Sequence, residues 1–389
     1  MNKNVPKLRF KEFHGELRQY KFKEVVKLQR GSSPRPIIKY ITSDEDGVNW
    51  IKIGDVSEGE QVIRSTKEKI TKEGAEKSRY VEVGDLILSN SMSYGRPYIM
   101  GIDGYIHDGW FVLKDYQNNF NREYLCQFLI SPAIQKQYKR LAAGGVVDNI
   151  SSELVNSVEV KLPSLQEQEK IADFFTIIDR LIEEQEGKVR DLKIYKKGMM
   201  QKIFKQEIRF KDDNGLDYPE WEEKKLGNIA DIGTGSNDLQ DKDEKGIYPF
   251  FVRSKTIERI NKYTFDGEAI LIPGDGSIGQ IYHYINGKFA YHQRVYKISD
   301  FVNGTLGKYI YFYMNRFFLK EALKNSVKAT VDSLRLPTLT GMLIKLPCLE
   351  EQTKIANFLT NIDNLIEEEQ KNLDDLREMK KGLLQQMFV

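Results

Sequence analysis

Three arrangements in this sequence have the residue types of a catalytic or cofactor site. Gly274-x-Gly276-x-x-Gly279 has the spacing of a dinucleotide loop, whose backbone N–H groups face a pyrophosphate at the mouth of a helix. Here it runs into QIYHYI, which reads as a strand, so a turn is expected. Glu159-Val160-Lys161 has the form of the Glu-x-Lys end of a nuclease site. Its internal counterpart carries Leu343 in place of the Glu, and no upstream Asp stands in a suitable context. His14, His107, His283 and His292 lack metal-ligand spacing and do not align with one another in the repeat described below. Cys126 and Cys348 are too few for a disulfide framework or a zinc site and fit a reducing, cytoplasmic setting. A Walker loop and the Asn/Asp-Pro-Pro-aromatic signature of amino-methyltransferases are both missing. The expectation is a non-catalytic chain with no cofactor and no metal of its own.

What the polar residues can do is contact nucleic acid. Arg30-Gly31-Ser32-Ser33-Pro34-Arg35 is a basic, polar loop, and Thr234-Gly235-Ser236-Asn237 matches it. A second matched pair is Ser89–Arg96, which holds Asn90, Ser93, Tyr94 and Arg96, and Asp275–Gln280, which holds Ser277 and Gln280. A third cluster is His292-Gln293-Arg294. Arg, Asn, Gln and Ser are the side chains that read base edges or bind phosphates. Arg316, Lys320, Lys324 and Lys328 recur every four residues, which makes one basic stripe on a helix. Lys136 and Arg140 match Lys320 and Lys324, and phosphate contacts, which position a protein without reading sequence, are of the kind that can be shared. The same compositions also suit solvated loops and helix faces. Net charge, at +2, does not announce a nucleic-acid binder. Its distribution says more: residues 1–40 carry 11 Lys/Arg against 3 Glu, a plausible phosphate-facing start.

The elements that position these residues come from an internal repeat. KLPSLQEQEKIADFFTIIDRLIEEQ at 161 returns as KLPCLEEQTKIANFLTNIDNLIEEEQ at 345, with 24 identities in 44 positions at an offset of 184. Upstream the match weakens to Arg9-Phe10-Lys11 with Arg209-Phe210-Lys211, and Gly31-Ser32 with Gly235-Ser236. The chain therefore reads as 1–160, 161–206, 207–344 and 345–389: two variable α/β domains, each followed by a long amphipathic helix. The expected fold is α+β, with two antiparallel coiled-coil helices and pseudo-two-fold symmetry. Heptad counting places Ile171, Phe174, Ile178, Leu181 and Leu192 on one seam, and Ile355, Phe358, Ile362, Leu365 and Leu376 on the other. On this reading Ile178 and Ile362 share one interhelical core. No run of about eighteen apolar residues is present, so no membrane span is expected.

The order of variable domain, LP-x-L-x-EQ-x-KIA-x-F helix, variable domain and second such helix resembles the specificity subunit of type I restriction-modification systems over nearly the whole chain. The lead-in W/Y-x-x-x-x-L/F-x-x-I/V is also similar, from Trp221 to Ile229. In the first domain it departs, with Tyr20-Lys21-Phe22 at a shortened spacing. The resemblance implies two target recognition domains, each reading one half of a bipartite double-stranded DNA site. It implies helices that set the spacer and dock two modification subunits, and restriction subunits beyond those. S-adenosylmethionine, ATP and Mg2+ would belong to those partners. An antiparallel helix pair would put the domains at opposite ends, within reach of successive major grooves. From residue pattern alone, a coiled-coil scaffold with two ligand-binding domains stays open as the alternative.

Overall fold

A computed structural model of the chain describes residues 5–56, 59–91, 95–141, 149–276, 278–302, 304–324 and 333–389. The chain forms two compact units, one of residues 1–186 with 371–389, the other of residues 187–370. These units do not follow the boundaries read from sequence. Each takes one variable domain and a part of both long helices, Leu165–Phe204 and Leu349–Met387. Among the described residues no helix is long and apolar enough to cross a membrane.

The first unit holds two five-stranded sheets. The inner one runs Lys27–Arg30, Trp110–Lys114, Leu86–Ser89, Pro97–Met100 and Val62–Ile63. Leu86–Ser89 is buried on both faces, which is why it reads as an unbroken apolar run. Leu86 and Leu88 pack with Phe111 and Leu113 toward the helices, while Ile87 and Val112 pack with Trp110 on the other side. The second unit builds one six-stranded sheet, in the order Asp231–Thr234, Val295–Ser299, Phe265–Pro273, His283–Tyr291, Tyr248–Phe251 and Ile257–Ile260. Each unit also has a two-stranded antiparallel ribbon, Arg18–Lys21 with Glu159–Leu162 and Glu222–Lys225 with Leu343–Leu346.

The ribbons correct the reading of the lead-in. Arg18 pairs with Leu162 and Glu222 with Leu346, so Leu17 occupies the place of Trp221. Leu17, Phe22 and Val25 then keep the full spacing of Trp221, Leu226 and Ile229. Phe22 N–H donates to the Val158 carbonyl, just as Leu226 N–H donates to that of Met342. The spacing is intact; only the aromatic residue is replaced.

Within each unit the helix segments run antiparallel. In the first, Asp179 pairs with Lys380 at 2.5 Å and Glu186 with Arg377 at 2.7 Å. In the second, Lys188 pairs with Glu369, and Lys196 with Asp363 at 2.5 Å. Antiparallel pairing sets a residue beside the far end of its partner helix, not beside its own repeat equivalent. Ile178 is thus buried with Phe175, Leu384, Met387 and Phe388, and Ile362 with Met200, Ile203, Phe204 and Leu359. The single core expected to join Ile178 and Ile362 is two separate cores.

The seam is also shifted in phase. Ile171 and Ile178 are buried, but Leu181 and Leu365 are exposed at 42% and 47%, as are Tyr195 and Met379. The buried partners are Phe175, Val189 and Ile203 in one helix and Leu359 and Leu373 in the other, a step of four from the first seam position and not of three. Phe174, Phe358, Leu192 and Leu376 are half-buried on its flank, while Ile355 is fully buried.

The EQ of the helix motif ties each helix to its own domain. Glu167 accepts from Arg9 at 2.7 and 2.8 Å, and Glu351 accepts from Arg209 at 3.2 and 2.9 Å. Glu351 also accepts from the Trp221 indole at 2.9 Å, and both carboxylates are buried. Gln168 takes the Asn121 N–H and donates to the carbonyls of Asn119 and Pro163. Gln352 takes the Leu306 N–H and donates to the carbonyls of Gly304 and Pro347.

Candidate nucleic-acid interface

The loops that sequence reading singled out converge within each unit on one backbone frame. Gly31 N–H donates to the Trp110 carbonyl. A Cβ on Gly31 would lie 2.0 Å from the His107 carbonyl oxygen, and on Gly235 2.1 Å from that of Tyr291. Only glycine allows the first loop this close to the hairpin. Asn90 N–H donates to Gly109 O at 2.9 Å, and Ile150 N–H to Asn90 O at 2.7 Å. The second unit repeats both bonds, from Gly274 to Arg294 at 2.8 Å and from Leu334 to Gly274 at 2.7 Å. Ser91 bridges to Asn149 as Asp275 does to Ser333.

A histidine turn underlies each frame. His107 Nδ1 accepts Gly109 N–H at 2.7 Å, and His292 Nδ1 accepts Arg294 N–H at 3.0 Å. Their carbonyls accept Trp110 and Val295 N–H. The two histidines are structural equivalents, contrary to the sequence reading. Their offset is one residue longer than that of the helices, so a fixed offset misses them. Burial lowers both pKa values, for His292 with help from the nearby charge of Arg253. That favours the neutral form, the one able to accept.

The side chains on the frame differ between the units. In the first, Asp108 is the hub. It accepts from Ser33 Oγ at 2.9 Å and pairs with Arg35 at 3.4 Å, and its carbonyl accepts from Arg30 and Asn90. Arg35, Arg30 and Arg96 are exposed, and Ser32 donates to the Lys77 carbonyl. Asn90, expected to reach DNA, is buried with its amide spent on Asp108; it belongs to the frame. In the second unit Asp275 gathers Arg253 and Arg294, and Gln293 donates to Asp238 at 2.8 Å. Ser236, Gln280, Gln293 and Arg294 are exposed, and Asn237 is half-buried beside Asp241. Ser93, Tyr94, Ser277, Lys328 and the side chain of Lys324 lie outside the described residues.

Sequence reading missed Asp108, Arg253 and Asp275, because each earns its place through tertiary neighbours. Aligning YIHDGW with AYHQRV, with one residue of slack, would have exposed the shared turn.

The basic stripe stands elsewhere. Lys136, Arg140 and Lys320 are exposed on their helices. Lys320 lines a shallow hollow of about 230 Å³ with Glu223 and Leu343 of the ribbon. Arg316 is half-buried, with its guanidinium 5.5 Å from the centre of the Phe317 ring, so it is not a free member of the stripe. Glu159 pairs with Lys21 at 3.0 Å on the first ribbon. The Gly274–Gly279 loop is followed by the strand His283–Tyr291 and opens no helix. Among the described residues no cluster of three or more His, Cys, Asp or Glu could hold a metal.

Comparison with known proteins decides the family. The profile of the type I restriction modification DNA specificity domain matches residues 16–192 and again 218–377. The chain belongs to this family. The EcoDI specificity subunit of Escherichia coli is 30% identical over 170 residues, 44% of this chain and 37% of that protein. The MjaVIII specificity subunit of Methanocaldococcus jannaschii is 27% identical over 63% of this chain and 65% of its own length. The matches thus span less than two thirds of either relative. The fold is that of a solved S subunit of a type I restriction-modification system from M. genitalium, with a TM-score of 0.62, 15% identity and 99% of both chains covered. A structure described in work on complex assembly and conformational transition of the type I R-M system gives a TM-score of 0.58 at 17% identity, over 94% of this chain and 98% of that one. The specificity family thus carries the doubled domain that the internal repeat announces.

Proposed function

We propose that this chain is the DNA sequence-specificity subunit of a type I restriction-modification enzyme. Each unit reads one half of a bipartite duplex target through its loop cluster. The observation that carries this reading is the pair of matched frames bearing unlike side chains. The main-chain bonds that hold the loops are the same in both units, while the side chains set on them differ, as two readers of different sequences require. The long helices set the unread spacer and dock two modification subunits. Leu181 with Leu365 and Tyr195 with Met379, exposed apolar residues at repeat-equivalent positions, supply two like patches for two like partners. Methyl transfer from S-adenosylmethionine, and ATP- and Mg2+-dependent restriction, take place in those partner subunits, and this chain does no chemistry itself.

Replacing residues 207–344 by the corresponding domain of a relative, and mapping methylated adenines in the host, tests the reading. One half of the methylated motif should change and the other persist. A change in both halves, or in neither, would refute independent reading. A coiled-coil scaffold for other ligands would show no salt-sensitive binding to duplex DNA at all.

A further inference from the structure

The loop cluster of the second unit contains a charged fork that its own frame does not need. Arg253 Nη1 lies 3.3 and 3.2 Å from the two Asp275 carboxylate oxygens, and Arg294 Nη1 lies 2.9 Å from one of them. The carboxylate is largely buried, at 20% exposure, while the arginines are 47% and 64% exposed. Burial pushes the Asp275 carboxyl up, but the two guanidiniums outweigh it and hold it below its usual range, so it stays ionised beneath them.

The matched positions in the first unit locate the fork's purpose. Asp275 corresponds to Ser91 through the bridges to Ser333 and Asn149. Arg294 corresponds to Gly109 through the bonds from Gly274 and Asn90. Arg253 corresponds to Ile53, two residues beyond the carbonyls of Phe251 and Ile51 that accept His292 and His107 N–H. The first unit builds the same frame with Ile, Ser and Gly. The three charges therefore do not hold the loops together. What they do is fix two long side chains that would otherwise be free, each with one nitrogen on the shared carboxylate. Among the described residues neither guanidinium has a further side-chain partner, so its Nε–Nη2 edge is open. A fixed guanidinium edge matches guanine O6 and N7 in the major groove.

We propose that Arg253 and Arg294 are the guanine readers of the second unit, with Asp275 as their positioning residue, so that the half-site read by this unit contains two G·C pairs. This rests on the recognition reading above. It separates the two units by chemistry: the first has no such fork and reads by other groups.

The test uses the full chain assembled with its methyltransferase partners, selecting from a pool of randomised duplex DNA. The parent motif should have G·C at two positions in one half. Arg253→Lys and Arg294→Lys keep a charge for phosphates but lose the two-pronged edge. Each should relax one of those positions by roughly 10- to 100-fold. The other half, the affinity for non-specific DNA and its salt dependence should stay as in the parent. Asp275→Asn keeps the shape, frees both arginines, and should weaken preference at both positions together. An unchanged motif, or a uniform loss of affinity with a shallower salt slope, would overturn the assignment and make the arginines bystanders or phosphate anchors. A parent with a two-part motif lacking G·C in the affected half would overturn it alone. A parent with no sequence preference would remove the recognition reading and this assignment with it.

Discussion

The two loop clusters share a skeleton and almost nothing else. In the first unit the acid sits on the hairpin turn, as Asp108, and gathers Ser33 and Arg35. In the second it sits on the neighbouring loop, as Asp275, and gathers two arginines. Behind both are the same histidine turn and the same four backbone contacts. Backbone bonds carry the frame, so the side chains are free to diverge. Where a side chain does serve the frame, as Asn90 does, it is buried and lost to recognition.

The comparison breaks most sharply at the helix joints. Arg9→Ala would leave the buried Glu167 side chain without its partner, an effect of about 3–5 kcal/mol on the first unit. Arg209→Ala should cost less, because Glu351 keeps the Trp221 indole, for which the first unit has Leu17. Urea unfolding with amide protection read separately in each unit checks the order; equal losses would deny the indole any part. Next come the cores. Ile178→Ala and Ile362→Ala should each cost about 2–5 kcal/mol, and the double mutant should lose their sum to within about 0.5 kcal/mol, since the cores are separate. Leu181→Ala, on the exposed face, should stay within about 0.5 kcal/mol. A marked departure from additivity would rejoin the two cores.

A smaller effect follows from the histidine turns. Both histidines have folded pKa values below the ordinary value, so the unfolded chain binds protons first as pH falls. Their contribution is therefore complete above about pH 6.5 and declines below it. Thermal melts between about pH 7.5 and 5 should lose stability on the acid side, and His107→Asn, which can still accept through its amide oxygen, should flatten that loss in the first unit. A slope unaltered by the substitution would assign the acid sensitivity to other groups. The smallest effect belongs to the basic stripe. Lys136→Ala and Lys320→Ala should each lower the slope of log affinity against log salt by about 0.9, equally on specific and non-specific DNA, with the motif unchanged. Electrophoretic titrations over a salt series measure it; an unaltered slope would leave these lysines to solvent or a partner subunit.

Much of the fold was legible because repetition announced it. The EQ-x-KIA-x-F helices, the two domains and the matched glycines follow from one self-comparison. The seam's phase did not follow. Phe174-Phe175, Leu181-Ile182 and Leu365-Ile366 offer apolar residues at both candidate positions, and only packing chooses between them. The separation of Ile178 from Ile362 follows from the antiparallel direction that the sequence already suggested; the heptad count aligned the two as repeat equivalents, a match that only a parallel pair would bring together. At the site, the loops were legible as polar and matched, but not which residues hold and which reach. Asn90 has the composition of a reader and the environment of a strut. Asp275 lies within a segment singled out for its neighbours, and Arg253 gains meaning only where a strand from elsewhere in the chain delivers it.

Gln168 and Gln352 grip their domains in a particular way: among the described residues, every one of their hydrogen-bond partners is a main-chain N–H or carbonyl. A grip on main chain is blind to which side chains the domain carries. Side-chain changes in the domain therefore leave this part of the joint intact, and the part that does depend on domain side chains is the neighbouring glutamate, held by Arg9 in one unit and by Arg209 and Trp221 in the other.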